Sequence, residues 1–385
     1  MDPRTGLPVV GMIGAGQLAR MTHQAAISLG QSLRILAASP QDGAAVVAAD
    51  VVIGDHTSYD DLAAFAAGCD VVTFDHEHVA NEHVAALAEA GHRVAPGAAA
   101  LICAQDKQVM RERLADLGVP VPRWAPVRER SDLQDFADRV GTPFVLKASR
   151  GGYDGKGVWT VPSVDQADAV LESGVPLIVE ERVPIVRELA AVVARSPFGQ
   201  GAAWPVVQTV QDDGICVEVL APAPDLSEEL SAQAQTLALT VAAKLGVVGV
   251  LAVELFETAD GLVVNELAMR PHNSGHWSIE GSRTSQFEQH LRAVLDYPLG
   301  ATEMTAPAVA MANLLGGPAE GPAIDERVHH LMAHWPDVKL HLYGKTVRPG
   351  RKIGHVTALG DDPERVRARA LAAAHWLRYG TEASS

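Results

Sequence analysis

The first hundred residues alternate apolar, strand-like runs with helix-like stretches. The runs read PVVGMIG, LRILA, DVVIGD and DVVTFD, and the segment Gln17–Leu29, closed by Gly30, is typical of a helix. Such alternation requires crossover connections, so it favours a parallel sheet with helices on its faces. Since 385 residues exceed one average hydrophobic core, we expect this α/β unit to form only an N-terminal domain, residues 1–100.

Beyond this unit the pattern changes to mixed α+β. A helical segment from about Ala98 to Leu117 ends at Gly118, and the runs PFVLKAS, GVWTV and PLIVEERV are predicted to be strands. A further helix is predicted where Asp225 and Glu228 suit a capping box and Gly246 suits a stop. Short strands and an Ala/Arg-rich helix follow Pro298. We therefore predict a second domain over residues 101–298, with a lobe at about 124–186, and a third over 299–385.

Charge and cysteine content narrow the class of protein. The formal net charge of −16 argues against a general nucleic-acid or anionic-membrane surface. No apolar run is long enough to span a bilayer, and the N-terminus lacks the pattern of a signal peptide. Cys69, Cys103 and Cys216 lack metal or redox spacing, which indicates reduced thiols and a cytoplasmic protein.

A first glycine loop, GMIGAGQLARM, places Gly14 and Gly16 between a strand and a helix. This spacing fits the dinucleotide fingerprint, but the second strand ends Ala37-Ala38-Ser39, without the acidic residue that would hold a ribose. A helix N-terminus that receives a smaller phosphate is the favoured interpretation. A glycine turn that packs helix against sheet is the remaining alternative.

A second glycine loop, SRGGYDGKGVW, lies between two predicted strands. Arg150 replaces the first glycine of a Walker A loop and Gly157 replaces its hydroxyl residue, so a P-loop is excluded. The segment is instead predicted to be a glycine-rich hairpin tip whose amides close over a phosphate. A mobile surface hairpin without function is the alternative.

The sharpest geometric prediction concerns two glutamates around the sequence TADG. A three-residue loop with Gly261 in the left-handed conformation would pair Thr258 with Leu262, and counting back pairs Glu254 with Glu266. Two like charges on one sheet face require a cation between them. Without nearby cysteine or paired histidine, this cation is predicted to be magnesium carried with a nucleotide. A solvated pair on the sheet rim is the alternative.

Two basic clusters stand out in this acidic chain, RPHNSGHW and YGKTVRPGRKIGH. Local clusters of this kind indicate anion sites. By contrast, the histidines of FDHEHVANEH lack a fourth ligand and do not predict a zinc site.

Taken together, the chain resembles the ATP-grasp carboxylate–amine ligases. It is most similar to the family of N5-carboxyaminoimidazole ribonucleotide synthases of de novo purine biosynthesis. The motifs that carry this resemblance run from end to end: GAGQLARM, RGGYDGKG, NELAMRPHNSGHW with QFEQHLRA, and VRPGRKIGH. The resemblance implies an ATP-grasp fold with an N-terminal Rossmann-like preATP-grasp domain and a small C-terminal domain, in a homodimer.

The resemblance also implies a nucleotide and metal site. The residues implied to bind ATP are Lys107, Lys147, Gly152, Tyr153, Asp154, Gly155, Lys156, Gly157, Val158, Glu180, Glu181, Arg182, Val183, Glu188, Gln211, Asn265 and Glu266. Among them, Lys107 and Lys147 are expected on the phosphates, residues 180–183 along the adenine and Glu188 on the ribose. Glu254 and Glu266 are the implied ligands of Mg²⁺.

For the second substrate, the resemblance implies a site that takes 5-aminoimidazole ribonucleotide beside bicarbonate. Its implied residues are Gln17, Leu18, Glu77, Tyr153, Arg270, His272, Asn273, Ser274, Lys345, Arg348, Arg351 and Lys352. Asp154, Arg270 and Lys352 are the implied catalytic residues. The implied reaction is carboxylation of the ribonucleotide through carboxyphosphate. A formate-dependent glycinamide ribonucleotide transformylase is the nearest rival, and a nicotinamide-dependent oxidoreductase or a non-catalytic nucleotide-binding module are more distant ones.

Overall fold

The computed structural model describes residues 1–152, 155–318 and 321–382. Over these ranges the chain folds into three β-sheets, of four, four and nine strands, with helices packed against them. Tyr153 and Asp154, both predicted to be site residues, lie outside the described residues. No helix within the described ranges is both long and apolar enough to cross a membrane.

The first sheet confirms the predicted β–α alternation. Its strands are β1 (Val9–Ile13), β2 (Ser32–Ala37), β3 (Asp50–Ile53) and β4 (Val71–Phe74), and its helices are α1 (Gln17–Ser28), α2 (Tyr59–Ala66) and α3 (Asn81–Glu89). The strands are parallel in the order β3-β2-β1-β4. Their carboxyl ends therefore meet at one edge, where open α/β sheets bind ligands.

The long helix predicted from Ala98 to Leu117 is wrong in one respect, because it is two helices. These are α4 (Ala98–Gln105) and α5 (Lys107–Asp116), separated by Asp106 in an extended conformation. The Asp106 carboxylate accepts hydrogen bonds from the amides of Gln108 and Val109, and this N-cap makes a new helix start more stable than a continuous helix. Consequently Lys107 stands at the first position of α5.

The second sheet is antiparallel in the order β5-β8-β6-β7 and lies within the lobe predicted at residues 124–186. Its strands are β5 (Trp124–Val127), β6 (Phe144–Ala148), β7 (Val158–Val161) and β8 (Leu177–Glu181), with α6 (Arg130–Val140) and α7 (Asp168–Leu171) beside them. As predicted, β6 and β7 flank the second glycine loop and pair as a hairpin.

The third sheet is antiparallel and joins the second and third predicted domains, because β12 pairs with β15. Its strands are β9 (Arg187–Arg195), β10 (Gly201–Ala203), β11 (Val207–Asp212), β12 (Ile215–Ala221), β13 (Gly249–Thr258), β14 (Gly261–Ala268), β15 (Ala308–Leu315), β16 (Lys339–Leu342) and β17 (Lys352–Gly360). The remaining helices are α8 (Glu228–Lys244), α9 (Ser278–Gly281), α10 (Gln286–Leu295), α11 (Ile324–His334) and α12 (Pro363–Tyr379). The capping box predicted at Asp225 is wrong: Ser227 caps α8, while Asp225 adopts a positive φ of 54°.

Candidate active site

The hairpin of β13 and β14 brings Glu254 opposite Glu266, as the sequence predicted, but by a different route. The turn is one residue tighter than predicted, since Thr258 pairs with Gly261. A β-bulge at Asn265 then restores the count, because Leu255 pairs with Val264 while Glu254 pairs with Glu266. A bulge re-aims neighbouring side chains, and here it lets the side chains of Asn265 and Glu266 both reach the same site.

Each of the two carboxylates has a cationic or polar neighbour. The Lys107 Nζ lies 2.6 Å from Glu266 Oε1, and the His272 Nε2 lies 3.2 Å from Glu254 Oε1. Burial alone would raise the pKa of Glu254, but the hydrogen bond and charge of His272, together with Lys107 and Asn265, hold it below its ordinary value. The Glu254 carboxylate is therefore kept ionised beside Glu266.

Behind this pair lies a buried ion network centred on Glu180. Its carboxylate lies 2.7 Å from the Arg111 Nε and 2.8 Å from the Lys147 Nζ, and Lys147 also donates to Asn265 Oδ1 at 2.9 Å. Burial alone would raise the pKa of Glu180, but the charges of Lys147 and Arg111 lower it. Burial lowers the pKa of Lys147, against the charge of Glu180. The network fixes the side chains of Arg111, Lys147 and Asn265 around Glu180, beside the bulge of β14.

A cavity of about 970 Å³ opens between the second and third sheets. Of the residues predicted to bind ATP, the described ones that line it are Lys107, Lys147, Gly152, Gly155, Lys156, Val158, Glu180, Glu181, Arg182, Val183, Glu188, Gln211, Asn265 and Glu266. Gly157 does not line it. Burial, with the charge of Glu254, raises the pKa of Glu188, while a hydrogen bond with Gln211 opposes that rise. This long, cation-bearing cleft has the size and polarity for a nucleoside triphosphate.

A second cavity, of about 570 Å³, lies between the first sheet and the hairpin. Six of the residues that the resemblance implies for the second substrate line it: Gln17, Leu18, Glu77, Arg270, His272 and Lys345. The Arg270 Nε lies 2.8 Å from Glu77 Oε2, and this ion pair holds the guanidinium at the cavity wall. Since Glu254 and Glu266 line both cavities, the two spaces meet at the carboxylate pair.

The other predicted substrate residues occupy different positions. Asn273 and Lys352 line the larger cavity, and Arg351 lines a third one of about 340 Å³ at the edge of the first sheet. Ser274 is buried and lines none of these three cavities, but its hydroxyl lies 2.9 Å from His272 Nδ1. Arg348 is exposed and lines none of them. The basic cluster from Lys345 to Lys352 therefore divides among the three cavities and the surface.

The first glycine loop turns out to have a protein carboxylate at the start of its helix. Asp75, at the end of β4, accepts the Gly16 amide at 2.5 Å and the Ala19 amide at 3.4 Å. A Cβ on Gly14 would lie 2.2 Å from Asp75 Oδ1, so the close approach requires glycine there. Burial raises the pKa of Asp75 to about 6, against the two amides. The two amides that would have received a small phosphate are thus already paired.

Known proteins resemble this chain along most of its length. Three family models match consecutive parts of the chain: "Ribonucleotide synthetase preATP-grasp domain" at residues 7–105, "ATP-grasp domain" at 112–287 and "Phosphoribosylaminoimidazole carboxylase C-terminal domain" at 309–369. The N5-carboxyaminoimidazole ribonucleotide synthase of Mycobacterium tuberculosis (strain H37Rv) is 60% identical over 97% of this chain and 88% of that protein. The chain belongs to the N5-carboxyaminoimidazole ribonucleotide synthase family.

Solved structures of family members agree with this assignment. The synthetase from Thermus thermophilus is 39% identical and superposes with a TM-score of 0.86, covering 98% of this chain and 100% of that one. The Aspergillus clavatus synthase in complex with ADP and 5-aminoimidazole ribonucleotide is 30% identical, with a TM-score of 0.88 over 96% of this chain and 98% of that one. The predicted ATP-grasp fold, with its preATP-grasp and C-terminal domains, is therefore confirmed.

Magnesium, which the family resemblance implies, fits the donor set of the carboxylate pair. Glu254 and Glu266 offer hard oxygen ligands of the kind that Mg²⁺ prefers. Across the described ranges, however, no group of three or more His, Cys, Asp or Glu side chains is arranged to hold a metal ion. A cation at this pair would therefore need further oxygen ligands, which nucleotide phosphates supply in this class of site.

Sequence reasoning missed three buried polar residues in the neighbourhood of the candidate site: Asp75, Arg111 and Gln286. Each is buried and polar. Asp75 and Arg111 bond to residues 59 and 69 positions away, whereas Gln286 bonds to His272, 14 positions away. Arg111 lies in a helical stretch with ordinary polar neighbours, so nothing local marks it. The motif QFEQHLRA did single out the segment of Gln286, but not its contacts.

Proposed function

We propose that this chain uses ATP and bicarbonate to carboxylate 5-aminoimidazole ribonucleotide, and that it releases ADP, phosphate and N5-carboxyaminoimidazole ribonucleotide. The observation that carries the proposal is the meeting of two cavities at Glu254 and Glu266. A cleft for a triphosphate and a cleft for a second substrate that share one wall allow phosphoryl transfer followed by capture at the same place. Membership of the synthase family supports this choice of substrates.

In the first step, a bicarbonate oxygen attacks the γ-phosphorus of ATP, and carboxyphosphate forms as ADP leaves. Lys107 and Lys147, which both line the larger cavity, are our candidates for neutralising the phosphates. Mg²⁺, held by Glu254 and Glu266 when bound, would supply charge stabilisation at the transferred group. Such electrostatic preorganisation is the main contribution that a protein makes to phosphoryl transfer.

In the second step, the 5-amino nitrogen of the ribonucleotide bonds to the carboxyl carbon and gives up one proton to the phosphate, which leaves with the former bicarbonate oxygen. Capture of carbon dioxide released from carboxyphosphate gives the same product. We assign catalytic roles to Arg270, which lines the smaller of these two cavities, and to Lys352, which lines the larger one. We assign a third catalytic role to Asp154 on its sequence position alone. Lys345, which donates to Gln17 Oε1, is our candidate for holding the ribonucleotide's phosphate.

Carboxyphosphate is consumed by water, so the site must close over it. We propose that the second glycine loop supplies this closure. Gly155 and Gly157 adopt positive φ angles of 74° and 76°, which residues with a Cβ rarely adopt. Gly155 also packs against the β11–β12 turn, where an added Cβ would lie 3.1 Å from Gly214 Cα.

Replacing Gly155 with valine is therefore expected to lower turnover by about tenfold or more, because a β-branched residue resists this backbone conformation. Gly174→Val is the matched control, since Gly174 has a φ of 69° in the same lobe but open space around it. Melting curves and steady-state rates of both variants check the prediction. Wild-type turnover in Gly155→Val, or an equal loss in both variants, would contradict a role in closure.

Rates of ADP release test the proposed reaction against its rivals. We expect release to require Mg²⁺ and to be stimulated by bicarbonate together with 5-aminoimidazole ribonucleotide. Support by formate with glycinamide ribonucleotide would instead indicate the transformylase. ATP binding without turnover would indicate a non-catalytic module, and tight NADH binding would favour the oxidoreductase hypothesis.

A cytoplasmic location and a homodimer complete the proposal. Cys69, Cys103 and Cys216 are all free thiols, which suits a reducing compartment. Dimerisation rests on the family resemblance, and sedimentation equilibrium of the purified chain tests it.

A further inference from the structure

Gln286, the first residue of α10, has a side-chain amide whose hydrogen-bonding groups are all engaged. Its Oε1 accepts the His272 amide at 2.8 Å, while its Nε2 donates to the His272 carbonyl at 2.7 Å and lies 2.9 Å from His276 Nδ1. The side chain is fully buried. A glutamine side chain has one acceptor oxygen and two donor hydrogens. Both the oxygen and the nitrogen of Gln286 therefore have hydrogen-bond partners.

The segment around Gln286 leaves no room for the amide to move. A Cβ on Gly275 would lie 2.3 Å from Gln286 Oε1, so the chain wraps closely around the amide. The Gln286 backbone amide also donates to Ser278 Oγ at 2.9 Å. Residues 272–278 and the start of α10 are thus locked together.

His272 carries this constraint to the carboxylate pair. With its backbone held on both sides by Gln286, its ring is fixed at Nδ1 by the Ser274 hydroxyl, 2.9 Å away. The opposite ring nitrogen, Nε2, lies 3.2 Å from Glu254 Oε1. The position of one proposed metal ligand therefore depends on an amide that does not contact it.

The helix that bears Gln286 is itself anchored at its other turns. His290 lies 2.8 Å from Thr73 Oγ1 of β4 and accepts the Val250 amide of β13. Phe287 packs with Leu18 and Tyr343. Because α10 contacts the first sheet and β13 at once, it is a rigid base for the amide.

We propose that Gln286 is a positioning residue for the metal–nucleotide site, which it organises by clamping His272 against Glu254. The inference rests on the proposed function, since it assumes that Glu254 receives Mg²⁺ with the nucleotide. Gln286 itself lines none of the three cavities. Its removal should therefore weaken Mg·ADP binding without removing any ligand.

Gln289 provides a matched control one turn along the same helix. It is also fully buried, and its amide clamps the Gly300 backbone in the same two-way manner, with Nε2–O and N–Oε1 distances of 2.8 and 2.7 Å. Gly300 lines none of the three cavities described above. Loss of either glutamine should thus cost similar stability, but only Gln286 should affect the site.

The experiment compares Gln286→Glu with Gln289→Glu. A carboxylate keeps the acceptor for the backbone amide but, when ionised, cannot donate to the carbonyl. We expect both variants to melt at lower temperature than wild type without ligand. Only Gln286→Glu should lose most of the melting shift produced by Mg²⁺ with ADP, which corresponds to binding about tenfold weaker or more. Its KM for ATP should rise, while that of Gln289→Glu should not.

Gln286→Met, which keeps the length of the side chain and introduces no charge, is the milder variant and should show the same selective loss. A wild-type Mg·ADP shift in either Gln286 variant, or an equal loss in Gln289→Glu, would overturn the inference. So would failure of both Gln286 variants to fold while Gln289→Glu folds, because the residue would then be purely structural. Failure of the proposed function looks different: wild type would bind Mg·ADP but show no bicarbonate-dependent turnover.

Discussion

Glu266→Gln should lower turnover by about a hundredfold or more, equivalent to roughly 2.7 kcal/mol of transition-state stabilisation. Glutamine retains the shape of the side chain and removes the charge that, with Glu254, would hold Mg²⁺. Most of the melting shift produced by Mg²⁺ with ATP should disappear for the same reason. Melting curves with and without Mg·ATP, and initial rates of ADP release, measure the two effects.

The ligand-free variant should be only slightly less stable than wild type. Repulsion between two carboxylates would favour the variant, but the Lys107 Nζ lies 2.6 Å from Glu266 and relieves that repulsion. Glu266 retains 39% side-chain exposure, so loss of this ion pair should cost about 1 kcal/mol or less. Glu257→Gln is the control, since Glu257 lies in the same hairpin, pairs with Arg187 of β9 and lines none of the three cavities. Equal Mg·ATP shifts in wild type and Glu266→Gln would remove Glu266 from the metal site.

Arg111→Met should produce the largest loss of stability, about 3–5 kcal/mol in the free energy of unfolding. The guanidinium is fully buried, pairs with Glu180 at 2.7 Å and donates to the Val264 and Asn265 carbonyls. Methionine fills much of the same space but leaves two carbonyls without this donor and Glu180 with only Lys147 as a cationic partner. Urea denaturation measures the change.

A control variant and a series of pH values extend the same denaturation experiment. Arg123→Met breaks an exposed pair with Glu181, one residue along β8, and should cost no more than about 1 kcal/mol. Because the pKa of Glu180 lies below its ordinary value of 4.5, its stabilising contribution is present above about pH 4.5. That contribution should be lost as pH falls through the native pKa, and less steeply in Arg111→Met. Similar losses in both arginine variants would contradict a buried network.

The parallel sheet and the β6–β7 hairpin could be predicted because local patterns determine them. Apolar runs separated by capped, helix-forming stretches leave few alternatives to β–α units. Even the break at Asp106 has a local signal, since aspartate is a strong N-cap, although the continuous apolar pattern outweighed it in the prediction.

The β13–β14 register is different, because the correct pairing of Glu254 with Glu266 followed from two errors that cancel. The turn is shorter than predicted, and the bulge at Asn265 adds the missing residue. Nothing in the local sequence marks that bulge. The Asn265 carbonyl accepts from Arg111 and its side chain accepts from Lys147, so distant parts of the chain stabilise it.

Asp75 shows the same limit for the first glycine loop. The glycine spacing correctly predicted a tight turn into α1, but the carboxylate at the start of α1 arrives from 59 residues away. Its arrival depends on β4 lying beside β1, which is a property of the assembled sheet. Local sequence therefore predicts that free amides cluster at the start of α1, while the tertiary fold determines which acceptor they bind.

Transfer of ¹⁸O from labelled bicarbonate tests the central claim, which is that the site joined at Glu254 and Glu266 activates bicarbonate by phosphorylation. The purified chain would be mixed with ATP, Mg²⁺, 5-aminoimidazole ribonucleotide and [¹⁸O]bicarbonate, and the released phosphate analysed by mass spectrometry before the label exchanges with water. One ¹⁸O per phosphate, in proportion to ADP formed, is the expected result. Phosphate that carries only solvent oxygen would show that water, not bicarbonate, attacks ATP, and would contradict the account.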